Sequence, residues 1–315
     1  MRWHFVTHEP EYSPDWILGF TLAEWLYQQG YPVSAKGYGA RFARTRLWGG
    51  SGSGPEVLAG LRGRSRYVLT SGDPSQHRFQ SSIEQIVTTH PLVQVDQLVI
   101  PASHLAYPVP EEFFETDSMA AVFQVTREFR LEHRPRVVFG GNYGDGAGLS
   151  ILFQVARTLL RGQGELILLN GYPHRDQLAP VVKNLGLEEV VIFLPRLGHR
   201  EESAIFHSAD LYVDPTHRPD SFPVGALRAM ASNLPVVTWE TPLMTALANR
   251  GALMVAPNRD DAWAPAIREA LDNEPLRERM IERTLSAMAA HRVPVVGQAF
   301  LQIASQWRIH LPPKV

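Results

Sequence analysis

The chain has 315 residues, 44% apolar and 20% charged, with a formal net charge of −2. At roughly 100 to 200 residues per domain this is ordinary globular composition with room for two domains, and it excludes disorder, collagen and coiled coil. A pI near 6.6 gives no global positive field, so neither nucleic acid nor an anionic membrane is the default partner. The absence of cysteine removes disulfides, thiolate nucleophiles and Cys-ligated zinc. The first residues lack the basic region and apolar stretch of a signal peptide, and no apolar run nears the roughly 18 residues that cross a bilayer. The expectation is a soluble, cytoplasmic protein.

In chain order, RWHFVT from Arg2 reads as a strand, residues 16–29 as a helix stopped at Gly30, and PVSAKG from Pro32 as a second strand. Residues 37–65 read as irregular, with a flexible loop from Gly49 to Pro55. Seven cations from Lys36 to Arg66 (the others Arg41, Arg44, Arg46, Arg62 and Arg64) face the single acid Glu56, a local charge of +6. This patch is either a solvated face or a dock for an acidic acceptor, anionic lipid headgroups or a partner protein. RYVLTS from Arg66 and QLVIPA from Gln97 continue the strand series, and a helix near 117–131 runs into His133-Arg134-Pro135, where the reading places a domain boundary.

From Val137 onward short apolar runs recur: VVFGG, LILLNG from Leu166, VVIFLP from Val190, DLYVDP from Asp210, PVVTWE from Pro235 and ALMVAP from Ala252. Unalternating runs of this length are what buried parallel strands look like, since helices cover both faces of such a sheet. The intervals carry helical periodicity, Ile151, Leu152, Val155 and Leu159 on one face and Trp263, Ile267 and Leu271 on another. The expected fold class is α/β: two Rossmann-like doubly wound domains, 1–133 and 134–294, facing a cleft, with a C-terminal helix in 295–315 returning to the first.

The stretch SADLYVDPTHRPDSFPVGALRAMASNLP from Ser208 to Pro235 resembles the donor-binding segment of retaining GT-B glycosyltransferases of family 4. Asp220, Ser221, Phe222, Pro223 and Val224 stand where the family has an acidic residue and a Gly-Phe-Gly or Gly-Phe-Pro turn, followed by Ala229-Met230-Ala231 and Pro235-Val236-Val237. The resemblance covers residues 136–290 and, in the first domain, the first β-α unit. It implies a hexose transferred from a nucleotide sugar to an unidentified acceptor, with no cofactor and no metal. A catalytically silent subunit that binds a partner glycosyltransferase is the alternative, and an epimerase or hydrolase on the same frame a third reading.

Site residues follow from the same resemblance. A loop ending on a helix start at Val224 presents free amides and a positive dipole to a diphosphate. Asp220 suits sugar hydroxyls, or with Ser221 it merely caps the helix. Arg228 stands where the family holds the ribose with a glutamate, which suggests a phosphate or an acidic donor group as its partner. The loop from Gly140 to Gly148 lacks the family's arginine and lysine, with Gly141 and Gly146 near their places. Asn142 and Tyr143 can donate side-chain hydrogen bonds there, or the loop is a plain strand-to-helix turn. Gly19 is what remains of a first-loop glycine pair. His8 and His90 are the two candidates for a histidine near the sugar, each open to an ordinary structural role. No P-loop, Gly-x-Ser-x-Gly elbow, His-Glu-x-x-His or Asp-x-Asp triplet occurs.

Overall fold

The computed structural model describes residues 3–7, 13–37, 45–48, 56–59, 67–71, 74, 84–98, 100, 102–115, 119–141, 143, 148–216 and 222–306. The chain forms two units, Met1–Pro110 with Ala290–Val315, and Glu111–Ala289. No helix among the described residues is long and apolar enough to cross a membrane.

In the first unit, β1 (Trp3–Thr7) leads into α1 (Pro14–Gln28). Ser13 caps that helix, its Oγ accepting from the Trp16 amide at 3.2 Å, and Pro14 fits the first turn, where no donor is needed. Gly30, at φ +82°, ends it. Then come β2 (Val33–Gly37), β3 (Thr45–Trp48), β4 (Glu56–Ala59), β5 (Tyr67–Thr70), β6 (Gln85–Thr88) and β7 (Ala102–His104). The sheet order is β3-β2-β1-β4-β5-β6-β7, parallel except for the antiparallel β2–β3 pair.

Three expectations change here. Residues 37–65, read as irregular, contain β3 and β4, and β4 sits between β1 and β5 in the sheet. EVLA is four residues beside a Gly/Ser run, too short to show a period. QIVT, Gln85–Thr88, also forms a strand, while QLVIPA does not: Val95–Gln97 is a 3-10 turn and the strand follows at Ala102.

In the second unit, α2 (Met119–Glu128) precedes β8 (Arg136–Phe139), α3 (Leu149–Val155), β9 (Glu165–Leu168), α4 (Arg175–Asn184), β10 (Val191–Phe193), α5 (His199–Ser208), β11 (Leu211–Asp214), α6 (Val224–Ala231), β12 (Val236–Trp239), α7 (Pro242–Ala248), β13 (Leu253–Val255), α8 (Trp263–Asp272) and α9 (Glu274–Met288). All six strands are parallel, in the order β10-β9-β8-β11-β12-β13. Every residue of β8, β9 and β12 is buried, which is why these runs do not alternate.

The division at Pro110/Glu111 replaces the expected one at 133/134. Phe113 is fully buried against Phe206 of α5, 5.9 Å between ring centroids, and Ser203 Oγ donates to the Glu112 carbonyl at 2.6 Å. The segment before the expected boundary therefore belongs to the second core. The last helix, α10 (Val293–Ser305), belongs to the first unit: Phe300 packs 5.7 Å from Trp3 and 6.1 Å from Phe5, and Gly297 lies against the Trp25 ring.

Candidate active site

The second sheet has one topological switch. From β8 the chain winds outward through β9 to β10, then returns along α5 to β11 on the other side of β8. Loops leaving the carboxyl ends of β8 and β11 diverge there, and such a point is where open α/β sheets bind ligands.

Local chemistry brings the two loops together. Gly148, the residue before α3, has φ +67°, and a Cβ on it would overlap the Pro215 ring and carbonyl. Gly141 is bounded by the Phe139 ring and, 3.1 Å from its missing Cβ, by Thr216 Oγ1. Trp239 Nε1 donates to the Pro215 carbonyl at 2.8 Å, fixing the start of the β11 loop from the β12 side. Asp214, at the strand end, accepts the Thr216 amide at 3.1 Å, and burial raises its pKa against those hydrogen bonds.

Helix α6 begins at Val224, the position expected from the sequence, with Pro223 before it, and no side chain among the described residues caps its first amides. Phe222 is buried. Asp220, Ser221, Asn142 and His8 lie outside the described residues, as do Arg41, Arg44, Arg62, Arg64 and Arg66 of the cationic patch. Tyr143 does not offer its phenolic proton to the loop. It donates to the Leu169 carbonyl at 2.6 Å, its ring stacks on His174 at 4.9 Å, and burial pushes the phenol up. It is a brace between the β8 and β9 loops.

Arg228 is likewise engaged. Its NH1 donates to both oxygens of Glu202 in the first turn of α5, at 3.1 and 2.9 Å, and its guanidinium lies 5.1 Å from the Phe113 ring centroid. His199 Nε2 is 3.5 Å from NH2. Partial burial first, then the Arg228 charge, lower the His199 pKa to about 4, with Glu202 opposing. The expected phosphate partner is thus first of all the partner of a carboxylate that sequence reading missed. Glu202 lies 26 residues upstream on another helix, and no local signal links the two.

In the first unit Gly19 falls inside α1, buried, where its amide serves the helix and not a ligand. The helix starts at Pro14, two residues earlier than expected, so Gly19 lies beyond its first turn. His90 follows β6 half-buried, its amide donating to Thr88 Oγ1 at 3.1 Å. Asp15, also missed, is buried in the first turn of α1 and accepts from the Ser71 amide, from Ser71 Oγ at 2.7 Å and from Thr70 Oγ1 at 3.1 Å. It ties the end of β5 to the helix.

The family model described as glycosyl transferases group 1 matches residues 125–286. Among curated proteins, the chain is 25% identical over 190 residues to an alpha-D-kanosaminyltransferase of Streptomyces kanamyceticus, covering 59% of this chain and 49% of that one. It is 33% identical over 138 residues to a D-inositol 3-phosphate glycosyltransferase of Kineococcus radiotolerans, covering 41% and 30%. The chain thus spans less than half the length of these relatives. Among solved structures, Anabaena HepE in complex with UDP and glucose superposes with a TM-score of 0.72 at 13% identity, covering 98% of this chain and 100% of that one. A glycosyltransferase from Rickettsia africae gives 0.73 at 11%, covering 97% and 98%. These two likenesses establish a shared fold.

Proposed function

The chain belongs to the glycosyl transferases group 1, and we propose that it transfers a hexose from a nucleotide-sugar donor to an acceptor, with the donor diphosphate seated where the β8 and β11 loops meet. The observation that carries this reading is the contact of those loops, Gly148 on Pro215 and Gly141 by Thr216, next to the start of a helix that no described side chain caps. When the anomeric C–O bond breaks, negative charge grows on the departing diphosphate. Fixed amides and a helix N-terminus at that place stabilise the transition state more than the ground state. Asp220 is proposed to accept a sugar hydroxyl, and His90 and His8 to meet sugar or acceptor hydroxyls. Arg228, committed to Glu202, is left out of the phosphate contacts.

The relatives act as glycosyltransferases by name, in line with this reading. Helix amides supply the positive potential here, so donor binding is proposed to need no divalent metal. Calorimetry with UDP, GDP, ADP, CDP and TDP, repeated in EDTA, tests it. Micromolar binding of one diphosphate that survives chelation is expected; loss of all binding in EDTA overturns the metal-free site, and no binding to any of them overturns the donor reading.

A further inference from the structure

At the carboxyl edge of the second sheet, aromatic side chains give their polar atoms to loop backbone. Tyr143 donates to the Leu169 carbonyl and Trp239 to the Pro215 carbonyl. Tyr212, in β11, does the same from below: its phenol is hydrogen-bonded to the Gly140 backbone, and the ring is fully buried, edge-on to Phe206 at 5.7 Å.

The phenolic oxygen also meets helix α6. A Cβ at Gly225, in the first turn, would overlap that oxygen and would stand 3.2 Å from the Gly140 carbonyl. Glycine there lets the start of the helix settle directly on the hydroxyl and on the first residue past β8. The three aromatic groups therefore tie different places. Tyr143 joins the β8 loop to the β9 loop, and Trp239 joins the β11 loop to β12. Tyr212 joins the exit of β8 to the first turn of α6, the two backbone segments beside the seat proposed for the diphosphate. A phenylalanine ring would fill the same space in β11, so what the hydroxyl adds is the tie between those two segments.

We infer that Tyr212 is a positioning residue for the donor diphosphate, setting the spacing between the Gly140 backbone and the first turn of α6 and acting on the ligand through the amides on either side. The inference rests on the donor reading above and adds to it the residue that fixes the geometry of the seat. Amides hold an anion well only when they are kept at hydrogen-bonding distance, and a displacement of about 1 Å weakens that hold.

The test is Tyr212→Phe, compared with wild type by thermal melting and by calorimetry with the nucleoside diphosphate that binds wild type most tightly and with the matching nucleoside. The expected result is diphosphate affinity reduced about three- to tenfold with nucleoside affinity unchanged. Unchanged diphosphate affinity, with or without a lowered melting temperature, makes Tyr212 a residue of fold stability alone and overturns the inference while leaving the donor reading intact. Diphosphate and nucleoside affinities that fall together show a general loosening of the unit and also overturn it. Wild type that binds no nucleoside diphosphate removes the donor reading itself, and the inference with it. The second measurement is coupling. Gly225→Ala pushes the helix start off the hydroxyl and should weaken the diphosphate at least as much, and adding Tyr212→Phe, which makes room for the methyl group, should recover part of the lost affinity. A double variant whose affinity loss equals the product of the two single losses overturns the shared spacing.

Discussion

The amino end of the second unit's sheet holds a dense polar network that the carboxyl end lacks among the described residues. At the amino end, Arg136 Nε donates to Glu165 Oε2 at 3.1 Å with both side chains buried. Glu165 Oε1 accepts the Glu132 and His133 amides at 2.6 and 2.8 Å. The remaining guanidinium nitrogens of Arg136 reach the Ser208 and Leu131 carbonyls, and Asp210 takes the Arg136 amide and Arg134. At the carboxyl end, Arg228 Nε is buried without a partner among the described residues, as is Ser232 Oγ nearer the amino end. One strand, β11, connects the two ends. A saturated network specifies the fold, and a switch point is where a ligand binds.

The comparison breaks most visibly at the saturated end. Glu165→Ala leaves Arg136 buried without its counter-charge and two amides without an acceptor, and should cost about 3 to 5 kcal/mol of stability. Urea unfolding measures it; a loss under about 1 kcal/mol would mean that water replaces the carboxylate there. Next in size is Gly225→Ala, where overpacking should cost about 1 to 3 kcal/mol. In a Tyr212→Phe background the severe overlap with the phenolic oxygen is gone and the new methyl meets the ring carbon at 3.1 Å and the Gly140 carbonyl at 3.2 Å, so the double variant should be more stable than the two single effects added together predict. Strict additivity would show that the overlap is relieved by the helix and not by the ring.

Arg228→Ala comes third. It removes two charge-assisted hydrogen bonds to Glu202, and about 1.5 to 3 kcal/mol of stability should go with them. Because both residues act as one pair, the Arg228→Ala, Glu202→Ala double variant should lose less than the sum of the single losses, which a double-mutant cycle by chemical denaturation reads directly. Independent effects would place Arg228 on another partner.

Much of the second unit was legible because its strands are unbroken apolar runs and its helices keep one period. The start of α6 at Val224 was expected from the resemblance of the Ser208–Pro235 stretch to the family's donor-binding segment. In the first unit β4 was invisible, since four residues inside a glycine-rich stretch carry no periodicity. Tyr212 reads as core, an aromatic residue in a buried strand, and the close packing of its oxygen on the Gly225 and Gly140 backbones is visible only in the structure. Gly19 and Tyr143 were misjudged because a loop residue was assumed free, when one lies within a helix and the other is bonded to a carbonyl across two strands. The Arg228–Glu202 pair depends on how α5 and α6 pack, which no spacing in the chain encodes.

The smallest expected effect concerns His199, and it separates the electrostatic content of the Arg228 cluster from its packing. Partial burial and the Arg228 charge hold its pKa near 4 in the folded protein, below the 6.5 of an unperturbed imidazole. The unfolded chain therefore takes up this proton as pH falls below 6.5, whereas the folded chain resists until about pH 4. The stability that His199 contributes is present above pH 6.5 and is lost through that window on acidification. In Arg228→Ala one lowering influence is gone while Glu202, which raises the pKa, stays, so the folded value should move up toward 6.5 and the pH dependence in the window should flatten. His291, also lowered by burial, is unchanged in the variant, and the difference between the two proteins isolates His199. Proton NMR titration of the imidazole, with urea unfolding at pH 7 and at about pH 5, reads both quantities. A His199 titration that does not move in Arg228→Ala would show that burial against Phe113 alone depresses it and that the Arg228 charge is spent on Glu202.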